Sequence, residues 1–247
     1  MKTLLLSIAL AFSVGQTVFA ADANHSESAV KAAPMVASTY FEFGALLDRD
    51  LVAIKKTRTG TNSTEIHILD AQSGYQQFNL QTGTALHETG TNFAFGVLPN
   101  SDIVAIKKSD TGTRSTEIHI LNARTGYRSF NLQTGTALHE TGDNFDFAVL
   151  PNRDVMAIKK SQTGTGSTEV HILDAGSNYR RFKLQTGTAL HETGSNFVFN
   201  VLANGDIMAV KKSMTGTNTT EVYVLSASSG YRRFNQQTGT ALHETAD

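Results

Sequence analysis

The strongest constraint on this fold is a sequence repeat with a period of 52 residues, which occurs four times between Phe41 and the C-terminus. The period is easiest to see in one aspartate, which recurs as Asp50, Asp102, Asp154 and Asp206. Repeats of about this length are typical of architectures in which each unit buries its apolar surface against its neighbours. The units are residues 41–92, 93–144, 145–196 and 197–247. We expect several of these units to perform the same function.

Each unit contains four short apolar stretches separated by turn residues. In the second copy they are residues 93–98, 103–108, 116–121 and 127–132. Both alternating faces of the second stretch are apolar, which predicts a strand covered on both sides, whereas the third stretch predicts a half-buried strand. The following turn carries Gly74, Gly126 and Gly230 but Asn178 in the third copy. Glycine and asparagine are the residues that best tolerate a positive φ, so we expect a left-handed turn position there.

Four short strands per unit predict an all-β, four-bladed β-propeller with four antiparallel strands per blade. Small residues recur in the first stretch, where an innermost strand would pass close to the axis: Gly44, Gly96, Ala148 and Asn200. A β-solenoid is the main alternative, and the hairpin-type turns argue against its parallel pairing. The propeller is expected to occupy residues 41–247.

The N-terminal segment is typical of a secretory signal peptide. Lys2 precedes a short apolar run, and small residues follow as far as Ala20. The run is too short to anchor in a bilayer. We therefore expect residues 1–20 to be cleaved, residues 21–40 to form a flexible leader, and the mature protein to be secreted, without membrane insertion.

Charge and composition exclude some classes of partner. Removal of Lys2 with the signal peptide changes the formal net charge from -1 to -2, which disfavours binding to nucleic acid. The chain has no cysteine, so thiol catalysis and cysteine-based metal sites are excluded. Three Asn-x-Ser/Thr sequons would be glycosylated in a eukaryotic secretory pathway. They begin at Asn24, Asn62 and Asn218.

The repeat sequence resembles FG-GAP or VCBS-type propeller repeats. The resemblance is carried by residues 102–108, 115–121 and 134–139 and their equivalents. It implies a secreted propeller, related to sugar-binding lectins. Members of that family often carry an Asp-x-Asp-x-Asp-Gly type loop for calcium. Here the loop around Asp102 has one carboxylate, so we interpret it as a turn stabilised by side-chain hydrogen bonds. No metal site or cofactor is predicted.

An adjacent histidine and glutamate recur in each connector between units. They are His87, Glu88, His139, Glu140, His191, Glu192, His243 and Glu244. One hypothesis is that each pair hydrogen-bonds sugar hydroxyls in a cleft between blades. The other is that the pairs bond to backbone in the connector. A zinc site is disfavoured because histidines spaced one per blade would all have to meet on the axis.

Other recurring polar residues are weaker candidates. Four tyrosines follow the third turn, where they either add aromatic surface for a sugar ring at a rim or pack at the start of the strand: Tyr75, Tyr127, Tyr179 and Tyr231. A Glu-x-His pattern in the third stretch becomes Glu221 and Tyr223 in the last copy, which favours a structural role. The paired lysines, such as Lys107 and Lys108, point to opposite strand faces and are expected to extend to solvent, with a phosphate or sulfate site left open.

These observations lead to a hypothesis of multivalent carbohydrate binding, in which linked weak sites reinforce one another. The partners would be cell-wall or cell-surface glycans. The alternative is a secreted protein-interaction module, such as a host-directed effector, an elicitor or an adhesion factor that binds a cell-surface protein. No nucleophile elbow, phosphate loop or His-Glu-x-x-His motif occurs, so an enzyme is not expected. The sequence leaves the oligomeric state open.

Overall fold

The computed structural model describes residues 36–37 and 40–243 of an all-β protein. Four antiparallel sheets of consecutive strands stand in a ring as the blades of a four-bladed β-propeller, which confirms the predicted fold class. The predicted signal peptide, most of the predicted leader, Asn24 and Glu244 lie outside the described residues.

The strand bounds repeat from blade to blade. Blade 1 contains β1 (Val36–Ala37), β2 (Phe41–Ala45), β3 (Leu51–Lys55), β4 (Glu65–Leu69) and β5 (Phe78–Gly83). Blade 2 contains β6 (Phe93–Val97), β7 (Ile103–Lys107), β8 (Glu117–Leu121) and β9 (Phe130–Gly135). Blade 3 contains β10 (Phe145–Val149), β11 (Val155–Lys159), β12 (Glu169–Leu173) and β13 (Phe182–Gly187). Blade 4 contains β14 (Phe197–Val201), β15 (Ile207–Lys211), β16 (Glu221–Leu225) and β17 (Phe234–Gly239).

The second and third strands lie between neighbouring blades. Every residue of β7 and β8 is buried, as the apolar second stretch predicted for β7. The prediction of a half-buried third strand is wrong in blade 2, because the face that carries Glu117 and His119 is also covered. Strands packed on both faces do not need to alternate apolar and polar residues.

The turn before the fourth strand is left-handed, as predicted. Gly126 has φ 60° and Asn178 has φ 53°, each closing a short 3-10 turn. Tyr127 also has a positive φ, of 63°, so it continues the turn and β9 begins only at Phe130. The predicted start of this strand at Tyr127 is therefore wrong. Within the described ranges, no helix is long and apolar enough to cross a membrane.

The recurring aspartate joins two turns of the same blade. Asp102 accepts a hydrogen bond from the backbone N–H of Ala123 at 2.8 Å, and its second oxygen accepts from the side-chain amides of Asn100 and Asn131, each at 2.8 Å. A register shift between Ile120 and Leu121 brings the fourth strand into this arrangement. The side chain thus stabilises a turn, as interpreted from the sequence.

Apolar clusters fill three of the junctions between blades, and we call each of these three junctions a seam. One joins blades 1 and 2, one joins blades 2 and 3, and one joins blades 3 and 4. The inner strands approach closely, since a Cβ added to Gly96 would lie 2.2 Å from Val149 Cγ2. This close approach explains the small residue at that position. Among residues 40–243, no such cluster joins blade 4 to blade 1.

Candidate functional site

The two lysines at the end of each second strand have different environments. Lys107 ends β7 and points into the seam with blade 1, whereas Lys108, the next residue, lines a cavity at the propeller axis. Successive side chains at a strand end point to opposite sides, which separates the pair. The lysines therefore form two sets, the seam lysines and the axial lysines. The seam lysines are Lys107, Lys159 and Lys211, with Lys55 at the equivalent position of blade 1, and the axial lysines are Lys56, Lys108, Lys160 and Lys212.

Three seam lysines are buried beneath the glutamate of the preceding connector. Lys159 is 6% exposed, and its Nζ lies 2.6 Å from Glu140 Oε2. The equivalent distances are 2.6 Å from Lys107 to Glu88 and 2.7 Å from Lys211 to Glu192. The expectation that these lysines extend to solvent is wrong, because each is held by an ion pair across a seam. Three of the four predicted ligand-binding glutamates thus stabilise the junctions between blades.

The histidines of the same connectors are exposed. Their backbone N–H groups donate within the connector, as in His139 N–H to the carbonyl of Ala137 at 3.1 Å. The backbone carbonyl of Glu140 accepts from Thr116 Oγ1 at 2.9 Å, which fixes the connector against its own blade. The structure thus divides each His-Glu pair, with the glutamate in the seam and the imidazole at the surface. A role of these imidazoles in binding stays a prediction.

The rim tyrosines are packing residues in three blades. Tyr127, Tyr179 and Tyr231 are 1%, 2% and 3% exposed. The hydroxyl of Tyr127 donates to the carbonyl of Ser101 at 3.0 Å, and burial raises the pKa of Tyr127 to about 12. Tyr75 differs, with 46% of its surface exposed. Among these four tyrosines, Tyr75 alone is exposed.

The Glu-x-His pattern holds a loop in place. Glu117 Oε1 accepts from the backbone N–H and the hydroxyl of Thr113, each at 3.0 Å. Although burial acts to raise it, these hydrogen bonds lower the pKa of Glu117. Burial lowers the pKa of the adjacent His119, whose Nε2 has no hydrogen-bond partner. In blade 4, the hydroxyl of Tyr223 donates to Glu221 instead. These contacts confirm the structural interpretation.

A cavity of about 540 Å³ lies at the axis, where the inner strands of the blades converge. Its charged lining consists of four lysines and two carboxylates, a formal excess of two positive charges. Phe147 and Phe199, both half-buried, add aromatic surface. The charged residues are Glu42, Lys56, Lys108, Asp146, Lys160 and Lys212.

The charge pairing around the axis is incomplete. Lys160 binds Asp146 at 2.7 Å, and Lys108 binds Asp143 at 2.8 Å. Asp143 is exposed, and counting it with its partner Lys108 reduces the excess to one positive charge. For Lys212, no acidic side chain of residues 40–243 lies within ion-pair distance.

Glu42 is the most deeply buried carboxylate of the axis, 5% exposed. Its Oε2 lies 3.3 Å from Lys56 Nζ without hydrogen-bond geometry, while its Oε1 accepts from the backbone N–H of Phe95 at 3.2 Å. Burial raises the pKa of Glu42, and the charge of Lys56 opposes that rise. The carboxylate therefore links blades 1 and 2 at the axis.

Sequence reasoning named the lysine pairs but missed the axial cavity. A difference between the repeats could have indicated the cavity, because the position of Glu42 is occupied by Ala94, Asp146 and Val198 in the other units. The acidic residue at this strand position is thus present in blades 1 and 3 only, while the axial lysine is present in all four. Within the described ranges, no three histidine, aspartate or glutamate side chains group in a way that would hold a metal ion.

Comparisons with known proteins give structural likeness alone. No family model matches the chain, and no curated protein matches its sequence, so the FG-GAP or VCBS resemblance stays a prediction. The chain is similar to a crystal structure of puromycin hydrolase and to that of its S511A mutant complexed with PGG. Each match has a TM-score of 0.46 and 15% identity, and covers 81% of this chain and 29% of that chain. A likeness at this level supports no statement about activity.

Proposed function

We propose that this protein is a secreted carbohydrate-binding propeller, and that it binds an acidic sugar, carrying carboxylate or sulfate groups, in the axial cavity. The observation that carries the proposal is the excess of lysines over carboxylates in that cavity, with Lys212 unpaired among the described residues. Lysine ammonium groups form charge-assisted hydrogen bonds with carboxylate and sulfate oxygens. The N-terminal segment that resembles a signal peptide supports the location.

The cavity has the size and surfaces that a sugar ligand requires. Its volume of about 540 Å³ lies within the range of about 300 to 1,000 Å³ that is usual for small-molecule sites. Half-buried aromatic rings at Phe147 and Phe199 supply flat apolar surface beside the charges. An acidic sugar combines both properties, since its ring has apolar faces and its substituent is anionic. The proposal is one of binding without turnover.

The exposed imidazoles support a second, peripheral contribution. His87, His139 and His191 project from successive connectors, so an extended glycan would meet similar groups at each seam. Such contacts would add to the axial contact by effective concentration. This multivalent part of the proposal is separable from the axial part, because the axial lysines and the connector histidines are distinct residues.

Calorimetric titration of the mature protein with acidic oligosaccharides tests the axial proposal. We expect oligogalacturonate or a heparin oligosaccharide to bind, a neutral galactan oligosaccharide not to bind, and affinity to fall with added salt. Free sulfate and galacturonic acid monomer distinguish a simple anion site from a glycan site. Absence of binding to both acidic oligosaccharides at millimolar concentration would refute the proposal.

Two variants locate the binding. Lys212→Gln is expected to weaken binding about 10-fold or more, since a hydrogen bond to a charged group contributes about 1.5 to 3 kcal/mol. Lys183→Asn is the matched control: it removes one charge outside the cavity and introduces the residue that the other three blades carry as Asn79, Asn131 and Asn235. It should leave affinity unchanged. Equal losses in both variants would indicate attraction by overall charge rather than an axial site.

A triple variant, His87→Ala with His139→Ala and His191→Ala, tests the multivalent part. We expect binding of a long acidic glycan to weaken while binding of a short acidic oligosaccharide is kept. Unchanged binding of both would remove the histidines from the proposal. Capture of a cell-surface protein that survives enzymatic deglycosylation, with no binding to free glycans, would favour the protein-interaction alternative instead.

A further inference from the structure

The junction between blade 4 and blade 1 differs from the three seams. In each seam the connector buries a leucine against the next blade: Leu86, Leu138 and Leu190 are each 2% exposed. The equivalent Leu242 is 55% exposed. On the opposing side Tyr75 is 46% exposed, against 1% to 3% for its three equivalents. Both faces of this junction are therefore uncovered.

The backbone contact of the seams is also absent from this junction. The N–H of Ala85 donates to the carbonyl of Tyr127 at 2.9 Å, and the same bond joins Ala137 to Tyr179 and Ala189 to Tyr231. Among residues 40–243, no bond joins Ala241 to Tyr75. Both partners of the missing bond are present in the sequence, each on an uncovered face.

The uncovered face of blade 1 keeps the features that receive a connector in the other blades. Phe78 is 51% exposed there, whereas its equivalents are half-buried and pack against the seam clusters. Lys55 on this face is equivalent to the seam lysines of the other blades. In place of a connector glutamate it approaches Glu65 of its own blade, at 3.5 Å. The face is thus complementary, in shape and charge, to the connector end of a blade.

Two substitutions distinguish these faces from the seams. Gln236 occupies the position of Leu80, Leu132 and Leu184, which pack into the seam clusters. Gln76 occupies the position of Arg128, Arg180 and Arg232, whose Nε atoms donate to a threonine hydroxyl of the preceding blade. Both glutamines are exposed. Polar end faces are typical of the terminal units of repeat arrays, and they make a contact here weaker than an internal seam.

We propose that the uncovered face of blade 4 docks on the uncovered face of blade 1 of a second copy of this chain, head to tail. The occupant follows from the three seams, in which the same two kinds of face already bind one another. The contact is heterologous, so it leaves the other face of each copy available for a further contact. It is reversible because of Gln236 and Gln76. This inference is independent of what the axial cavity binds.

Sedimentation velocity over a range of concentrations tests the association. We expect the wild-type protein to form larger species as its concentration rises. Gln236→Leu, which restores the residue of the other blades, should lower the dissociation constant about 10-fold through the apolar surface it buries. Leu242→Asp should abolish the association. Met214→Asp is the control: it removes an 80% exposed apolar side chain and introduces the residue of blade 2, Asp110, so association should persist.

Crosslinking identifies which chains meet, because the native sequence has no cysteine. Gln76→Cys and Thr238→Cys occupy positions equivalent to Arg128 and Thr82, which are in contact across a seam. A mixture of the two single variants with a short bismaleimide should give a covalent dimer. Crosslinking only within a chain that carries both substitutions, as a monomer, would show that the ring closes on itself and would overturn the proposal. A monomer at every concentration, in both the wild type and Gln236→Leu, would also overturn it.

Discussion

Lys159 and Lys160 are neighbours in sequence, yet one lies in a seam and the other at the axis. Lys159 is 6% exposed, bound to Glu140 at 2.6 Å and 5.9 Å from the ring centroid of Phe145. Lys160 is half-buried, binds Asp146 at the cavity wall and shares the cavity with three other lysines. The seam lysine therefore has a partner on each side, whereas the axial lysine lies in a region of excess positive charge.

The difference indicates which repeated residues serve the fold and which are available for a ligand. A buried charge is retained only if it is paired, and the seam pairs meet this requirement in three junctions. The axial lysines repeat equally well, but their acidic partners do not: Lys56 and Lys160 pair with Glu42 and Asp146, Lys108 pairs with Asp143, and Lys212 has no acidic partner among the described residues. Repetition alone thus does not distinguish the seam lysines from the axial lysines, whereas the balance of charge around them does.

The largest expected effect is the loss of a seam carboxylate. Glu140→Gln leaves the buried Lys159 without its closest partner, and we expect the free energy of unfolding to fall by about 2 kcal/mol. The carboxylate of Glu169, which also interacts electrostatically with Lys159, offsets part of the penalty. Urea denaturation measures the change. The axial counterpart Asp146→Asn should cost less than about 0.5 kcal/mol, because Lys160 keeps contact with solvent. Equal costs for the two variants would contradict the distinction between seam and axis.

The next largest effect is expected from replacing the buried His171 of blade 3. His171→Tyr introduces the residue of blade 4, where the Tyr223 hydroxyl donates to Glu221. We expect the new hydrogen bond to Glu169 to stabilise the protein by about 1 kcal/mol at pH 7. The wild type and Glu140→Gln serve as references in the same denaturation series.

The same variant should change the dependence of stability on pH. Burial lowers the pKa of His171, so below the ordinary histidine pKa of about 6.5 the unfolded chain binds a proton that the folded chain does not. Stability is therefore fully present above that pH and is lost as the pH falls below it. His171→Tyr should make the loss below about pH 6.5 shallower. An identical slope in the variant and the wild type would contradict a neutral buried imidazole.

The smallest expected effect on stability comes from an axial lysine. Lys212→Met removes a charge that has no acidic partner among the described residues, so we expect the free energy of unfolding to change by less than about 0.5 kcal/mol. The same variant should lose affinity for the acidic oligosaccharide. A loss of stability as large as that of Glu140→Gln would place Lys212 among the structural lysines and would remove the contrast with the seam.

Much of the fold could be predicted from local patterns in one unit. Turn residues and strand periodicity depend on neighbours in sequence, so Gly126 and its counterpart Asn178 identified a left-handed turn. The start of β9 could not be predicted, because Tyr127 adopts a positive φ that its side chain disfavours, held by packing across a seam. That packing involves a residue of another blade.

The candidate site was less predictable for the same reason. The partner of Lys107 is Glu88, in the connector of a different blade, and no pattern within one unit reveals that contact. The axial cavity is formed by residues of all four blades. What the sequence did contain was disagreement between copies, at Glu42, Gln76 and Gln236, and these positions mark the axis and the uncovered faces.

Lysine acylation read by mass spectrometry, with and without an acidic oligosaccharide, tests the central claim most directly. Lys108, Lys160 and Lys212 should react in the free protein and be protected by the bound oligosaccharide. Lys159 should react slowly in both conditions because it is buried in its seam, and the exposed Lys183 should react equally in both. Protection at Lys183 with unchanged reaction at the three axial lysines, or no protection anywhere, would contradict the account.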